Sequence, residues 1–207
     1  MNMSNVLGVF SRAYVINRDQ DTDRRALVHK RLADVGIEFE RFPAICYTER
    51  GKHRWAGMRG ANASHLAIVM EAQKQKLSNV LIIEDDVMFR ERFHESWSKI
   101  LPKLKSLKYD IFFGYNWLNR GGQLQDIDLV FIKNTPCVHF WAIQSEFYKT
   151  FIETALSNES SPQPQCIDRI FTSTNAVILA PTYNLVGQDQ GISLVMENHA
   201  REARWSA

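Results

Sequence analysis

Apolar residues fall into two spacings along this chain, runs that suit extended strands and stripes that suit helices, and the two alternate. Between Val9 and Ile16, the residues Phe10, Tyr14, Val15 and Ile16 form a β-prone run that yields to the turn formers Asn17-Arg18-Asp19. Asp21, Thr22 and Asp23 are suited to cap a helix whose apolar positions Val28, Leu32 and Val35 recur at helical spacing, and Gly36 stops it. Ile37, Phe39 and Phe42 alternate with Glu38, Glu40 and Arg41 and predict a second strand ending at Pro43. Strand, helix, strand is the opening of a parallel sheet.

From Cys46 to Arg59 the pattern turns basic and irregular, with Arg50, Lys52, His53, Arg54 and Arg59 around Trp55, and predicts a loop over a site. A helix bearing Leu66, Val69, Met70 and Leu77 follows, then the uninterrupted run Val80-Leu81-Ile82-Ile83, which has the character of a central strand. Phe93, Trp97, Ile100, Leu101 and Leu104 make an amphipathic helix, and Asp110 to Tyr115 another strand. Leu129 to Ile132 and Val138 to Ile143 read as strands, and Phe147, Phe151 and Ala155 as one face of a helix. Ser157 to Gln165 reads as a polar loop, a short helix begins near Asp168, Ala176 to Leu179 forms a last strand, and Pro181 onward is irregular. The prediction is an α/β fold with a mixed, mainly parallel central sheet flanked by helices, in one domain over 1–207 with an irregular C-terminal segment from about 181.

A chain of 207 residues buries a full core without disulfides or a structural metal. Its 25 Lys and Arg against 23 Asp and Glu give a net charge of +2, too balanced for nucleic-acid binding by bulk electrostatics. Cys46, Cys137 and Cys166 are odd in number and far apart, which points to reduced, mostly buried thiols rather than a disulfide framework or a zinc site. Neither a leader nor a run of membrane-spanning length is visible, so the sequence predicts a cytoplasmic protein; Arg201, Arg204 and Trp205 in the tail would allow peripheral contact with the inner membrane face.

Candidate chemistry concentrates at Glu84-Asp85-Asp86, three acids directly after the apolar run. Ligands of open α/β sheets gather at the carboxyl ends of the strands. Side chains alternate along an extended backbone, so Glu84 and Asp86 are expected to face the same way and Asp85 the other. Two such carboxylates suit Mg²⁺ or Mn²⁺, whose remaining positions water and diphosphate oxygens fill. The same three acids also suit a solvated turn or a cap on the next helix.

Several segments together resemble glycosyltransferase family 25, which includes bacterial lipooligosaccharide galactosyltransferases and the collagen galactosyltransferase domain. They are Tyr14-Val15-Ile16-Asn17 with Asp23-Arg24-Arg25, Phe39 through Pro43-Ala44, Gly57 through Ser64-His65-Leu66, and Glu84-Asp85-Asp86-Val87. Looser echoes follow at Gly114, at Cys166-Ile167-Asp168 and at Gln188 with Ser193. Asn62 and Ala63 depart from the cysteine and leucine usual before Ser-His. The resemblance implies a GT-A-type fold and a metal-dependent, inverting transfer of galactose or glucose from a UDP-sugar to a hydroxyl of a lipooligosaccharide or related, lipid-linked glycan.

The resemblance also implies roles. Tyr14, Ile16 and Asn17 on the first strand line the donor pocket, with Arg24 or Arg25 near its phosphates, Ser64 and His65 near the diphosphate, and Glu84 and Asp85 in the donor-binding set. Glu84 and Asp86 hold the metal, with His199 as a third ligand from the tail. Asp168 is the first candidate for the base that takes the acceptor proton and Asp189 the reserve, while Gln188 and Ser193 bond donor or acceptor hydroxyls. Trp55, Trp117 and Trp141 are candidates for stacking on sugar rings, as well as for core packing. Competing readings are transfer to hydroxylysine, transfer to hydroxymethylated phage DNA bases through the basic loop, and a non-catalytic nucleotide-sugar-binding protein.

Overall fold

The structure, a computed structural model, describes residues 7–47, 53–116, 128–133, 138–161 and 165–189. In chain order the elements are β1 (Ala13–Asn17), α1 (Thr22–Asp34), β2 (Glu40–Pro43), α2 (His53–Lys74), β3 (Asn79–Glu84), β4 (Val87–Phe89) and α3 (Phe93–Ser106). Then come β5 (Ile111–Phe113), β6 (Leu129–Ile132), β7 (Phe140–Gln144), α4 (Ser145–Glu159), α5 (Ile167–Ile170), a 3-10 turn (Phe171–Ser173), β8 (Ile178–Pro181) and β9 (Val186–Gln188).

Seven strands pair in the order β2-β1-β3-β7-β5-β8-β6. β2, β1 and β3 are mutually parallel, β7 runs against both β3 and β5, β8 is parallel to β5, and β6 is antiparallel to β8. Five of the seven strands therefore point one way, the mixed, mainly parallel α/β sheet that the periodicities predict. Side-chain alternation divides the core in two. Tyr14, Ile16, Val80, Ile82, Phe113 and Trp141 pack under α2, α4 and α5, while Val15, Leu81, Ile83, Phe112 and Phe140 pack under α1 and α3. With both faces covered, β3 is apolar at every interior position, which is why its run shows no polar alternation.

Three local expectations change. Gly36 does end α1, at φ +67°, where the Ile37 amide bonds the Leu32 carbonyl, but Asp21 caps nothing: its carboxylate takes Arg18 instead. The expected loop to Arg59 is already helical from His53, and residues 48–52 lie outside the described residues. The region after Pro181 is not wholly irregular, because β9 pairs antiparallel with β4 in a separate two-stranded sheet. Cys46 is exposed rather than buried, and Cys137 lies outside the described residues. Among the described residues no helix is long and apolar enough to cross a membrane.

Gly114 follows β5 where the Phe140 ring, 1% exposed, leaves no room: a Cβ there would lie 2.5 Å from the ring's Cδ1. Gly114→Ala is expected to destabilise the fold by about 1–3 kcal/mol through overpacking, read as a lowered midpoint in urea. A midpoint equal to that of the parent would show that the ring has space to move.

Candidate functional site

The carboxyl ends of β1 and β3 lie side by side, because the two strands are parallel with Ile16 opposite Glu84. Asn17 closes β1 at 2% exposure and acts as a hub. Its Nδ2 donates to Asp85 Oδ2 at 2.7 Å and to the Asp21 carbonyl at 3.2 Å, while Arg41 of β2 donates to its Oδ1 at 3.2 Å and its carbonyl at 3.1 Å. Arg24, in the first turn of α1, donates to Asp85 Oδ1 through Nε at 2.9 Å and through a shorter bond from its terminal nitrogen. Both oxygens of Asp85 are thus engaged, and its side chain is only 9% exposed. Asp85 is thereby tied to β1 and α1 and fixes the turn.

The alternation expected of the acids also stops with the strand. β3 ends at Glu84, the chain turns at Asp85-Asp86, and Arg24 reaches both turn residues, lying 3.7 Å from Asp86 Oδ2. Asp86 is held further from the C-terminal side: Gln188 Nε2 donates to its Oδ2 at 3.5 Å and the Asp189 amide to its carbonyl at 2.8 Å. The β4–β9 pairing brings Gln188 and Asp189 there. The Asp189 carboxylate is paired with Arg31 at 2.6 Å, an arrangement that ties it to α1 rather than leaving it to act as a base.

Glu84 turns toward α2. The Trp141 indole N–H donates to His65 Nδ1 at 3.1 Å, and His65 Nε2 lies 3.1 Å from Glu84 Oε1. An indole nitrogen only donates, so Nδ1 must accept; the ring proton then sits on Nε2 and His65 donates to Glu84 as the neutral tautomer. His65 and Trp141 are both fully buried. The Ser64 hydroxyl is engaged as well, accepting from the Ile45 amide at 2.8 Å and donating to the Gly60 carbonyl at 2.7 Å. Neither residue has a hydrogen-bonding atom to offer a diphosphate: Ser64 anchors the chain after β2, and His65 orients Glu84.

These bonds set the charge of Glu84. Burial, the largest influence, raises its pKa, but the hydrogen bond that His65 donates and the charge of Arg24 act the other way, and it lies below its ordinary value. A carboxyl lowered in the folded state contributes stability above its unfolded pKa and loses it as pH falls through the folded one. Stability is therefore expected to decline as pH drops below the ordinary glutamate range, and Glu84→Gln should flatten that limb in urea titrations at stepped pH. An unchanged acid limb would mean that Glu84 is not held as the anion.

Asp168 lies in the first turn of α5, half-buried, with Oδ1 fully buried and without a hydrogen-bond partner among the described residues. Burial raises its pKa, and the charge of Glu84 pushes the same way against the opposing effect of neighbouring backbone amides and Arg169. Asp168 lies three residues beyond Gln165, whose carbonyl accepts from Asn62 of α2 at 2.8 Å.

The remaining candidates fall elsewhere. Tyr14 and Ile16 are 5% and 9% exposed and pack in the core beneath α2, where Gln75 meets the Tyr14 hydroxyl at 3.5 Å, so Asn17 alone of that strand reaches the site. Arg25 is half-buried on α1. Trp141 is core, not a sugar platform. Ser193, His199 and Trp117 lie outside the described residues, as does the side chain of Trp55. The sequence reading missed Arg41 and Arg31, whose only signal was a cation on an amphipathic element, and Asn62, a polar residue one helical turn before His65.

The sequence profile of Glycosyltransferase family 25 (LPS biosynthesis protein) matches residues 56–135, which carry α2, β3 and the acidic turn. A "Glycosyltransferase 25 family member" of Drosophila melanogaster is 29% identical over 50% of this chain, and one of Drosophila pseudoobscura pseudoobscura 27% over 49%. The matched part of the chain spans only 21% and 20% of those relatives' lengths. Among solved structures, A197 from STIV aligns over 95% of this chain and 100% of its own at a TM-score of 0.51 and 13% identity, a likeness of fold alone. The profile match falls on the segment that builds the acidic turn, and the chain is similar there to glycosyltransferase family 25.

Proposed function

We propose that this protein is a metal-dependent, inverting glycosyltransferase that moves galactose or glucose from a UDP-sugar to a hydroxyl of a lipooligosaccharide or related glycan, acting in the cytoplasm on lipid-linked acceptors. One arrangement supports the reading: Glu84, Asp85 and Asp86 stand where the parallel strands β1 and β3 end side by side, with Asp85 fixed by Arg24 and Asn17 and Glu84 oriented by His65.

Asp168 is the base. As the acceptor hydroxyl attacks the anomeric carbon, its proton passes to the Asp168 carboxylate, the new C–O bond forms, and the bond to the diphosphate breaks with its electron pair leaving on UDP. A raised pKa makes Asp168 a stronger proton acceptor than an ordinary aspartate.

Among the described residues no group of three or more His, Cys, Asp and Glu side chains is arranged for a metal. Glu84 and Asp86 are the carboxylates proposed to hold Mg²⁺ or Mn²⁺, hard cations commonly held by one or two carboxylates with substrate phosphates completing the shell. His199 is the further ligand proposed from the tail. When bound, the cation supplies positive charge against the departing diphosphate. The chain's own part is to orient Glu84 through His65 and to hold the acidic turn through Asp85, Arg24 and Asn17.

The test is a screen of nucleotide sugars with Mn²⁺, reading binding by thermal shift and UDP release with and without glycan acceptors. UDP-galactose or UDP-glucose should bind and turn over, and chelation should abolish turnover. Binding without any turnover would instead mark a nucleotide-sugar-binding protein, and transfer only to hydroxylysine or hydroxymethylated DNA would replace the proposed acceptor.

A further inference from the structure

We propose that Arg31 is the positioning residue of Asp86: from α1 it closes the small β4–β9 sheet, and through that sheet it sets the last carboxylate of the acidic turn. This role rests on the metal-dependent transferase reading above and belongs to a residue that touches neither sugar nor cation.

β4 and β9 have three residues each, and a two-stranded ribbon so short is marginal in water by itself. Arg31 meets it from both sides. Its Nη1 donates to the Val87 carbonyl at 3.1 Å and its Nη2 to Asp189 Oδ2 at 2.6 Å. Val87 stands opposite Gln188 in the pairing, so one planar guanidinium spans the ribbon at the end that adjoins the acidic turn. At that same end the Asp189 amide donates to the Asp86 carbonyl at 2.8 Å, and Gln188 Nε2 donates to Asp86 Oδ2 at 3.5 Å. Opening the ribbon therefore withdraws two donors from Asp86.

Arg24 and Arg31 stand seven residues apart on α1, two turns along one stripe and about 10 Å along the axis. The first takes Asp85 and approaches Asp86, and the second takes the ribbon beyond them, so one helix splints the turn at both ends. Glu84 and Asp86 are thus set by different elements, Glu84 by His65 of α2 and Asp86 by α1 and β9. An ion pair whose carboxylate is 35% exposed contributes little by charge alone. What matters is the fork, which joins a carbonyl of one strand to a carboxylate just past the other. An open cavity of about 300 Å³, lined also by Val35, Met88 and Phe89, adjoins Arg31 and gives a small cation access to the space that its guanidinium fills.

The experiment uses the whole chain and begins without metal. Amide exchange at Asp189 should quicken roughly tenfold in Arg31→Ala, because the local opening that exposes it becomes easier. Lys30→Ala, at the exposed neighbouring position, should match the parent. Mn²⁺ affinity without donor, read by electron paramagnetic resonance, should fall roughly tenfold in Arg31→Ala, the low end for loss of a group that supports a ligand. Arg31→Lys keeps the charge without the fork and should stay nearer to Arg31→Ala than to the parent. Added methylguanidinium, below concentrations that unfold the protein, should restore both readings in Arg31→Ala, and methylammonium should not. Asp189→Asn keeps the shape of the pair and should quicken the same exchange. Combined with Arg31→Ala it should add little, since both act on one link.

Unchanged exchange at Asp189 in Arg31→Ala and Asp189→Asn, parental Mn²⁺ affinity despite faster exchange, or equal rescue by methylammonium would each overturn the positioning role. A parent protein that binds neither Mn²⁺ nor any UDP-sugar sinks the transferase reading and this role with it, whereas parental binding of both by Arg31→Ala sinks the role alone.

Discussion

Asp168→Asn is expected to reduce sugar transfer by about 10²–10⁴-fold, the usual contribution of a positioned base. The substitution preserves shape, and the Oδ1 that it leaves already lacks a partner among the described residues, so the fold should hold. UDP-sugar binding should stay close to that of the parent, so the loss should appear in kcat and not in donor KM. The pH profile gives a second reading. In the parent, transfer should fall on the acid side as Asp168 takes up a proton, at a pH above the ordinary aspartate range because burial and Glu84 raise its pKa. The residual activity of the variant should lack that limb. A variant with near-normal kcat would remove Asp168 from the chemistry and return attention to Asp189, at the cost of breaking its pair with Arg31.

The second large effect falls on stability. Arg24→Ala strips the cation from Asp85, whose side chain is 9% exposed, and leaves Asn17 as its remaining side-chain hydrogen-bond donor. Breaking a buried pair from one side strands a charge, and with Arg24 itself 30% exposed the loss should lie near the lower end of the usual range, about 3 kcal/mol in urea unfolding. Removing both partners should cost less than the sum of the single losses, because the stranded charge disappears with its partner. Additive losses would mean that Arg24 and Asp85 are not energetically coupled, and that the turn is held from the strand side alone.

Much of the frame was legible in the sequence because it follows from local periodicity. Val80 to Ile83 announces a strand covered on both faces, and Phe93 to Leu104 a helix laid on one of them. β4 and β9 were not legible: each has three residues, too few for a period, and each exists only through the other, 97 residues away from Phe89 to Val186. α2 was read to begin late because His53 to Arg59 is too polar to display an apolar stripe.

The site divides in the same way. Glu84, Asp85 and Asp86 stand out as acids at the end of an apolar run. Their separate duties do not, since alternation holds only while the strand lasts, and here the backbone turns after Glu84. What each acid does is fixed by partners from other elements: Arg24 and Asn17 for Asp85, His65 and Trp141 for Glu84, Gln188 for Asp86. Side chains brought together across 19 to 102 residues leave no mark in a local window.

The small β4–β9 sheet has a temporal consequence. β3 and β4 leave the ribosome long before Val186 to Asp189, so a nascent chain carries its acidic turn with the latch from Gln188 and Asp189 still unmade. Synthesis from the N-terminus thus delays completion of the turn until residue 189 has emerged, and a ribosome-stalled chain ending before β9 should show the Arg24–Asp85 bond without the constraint on Asp86.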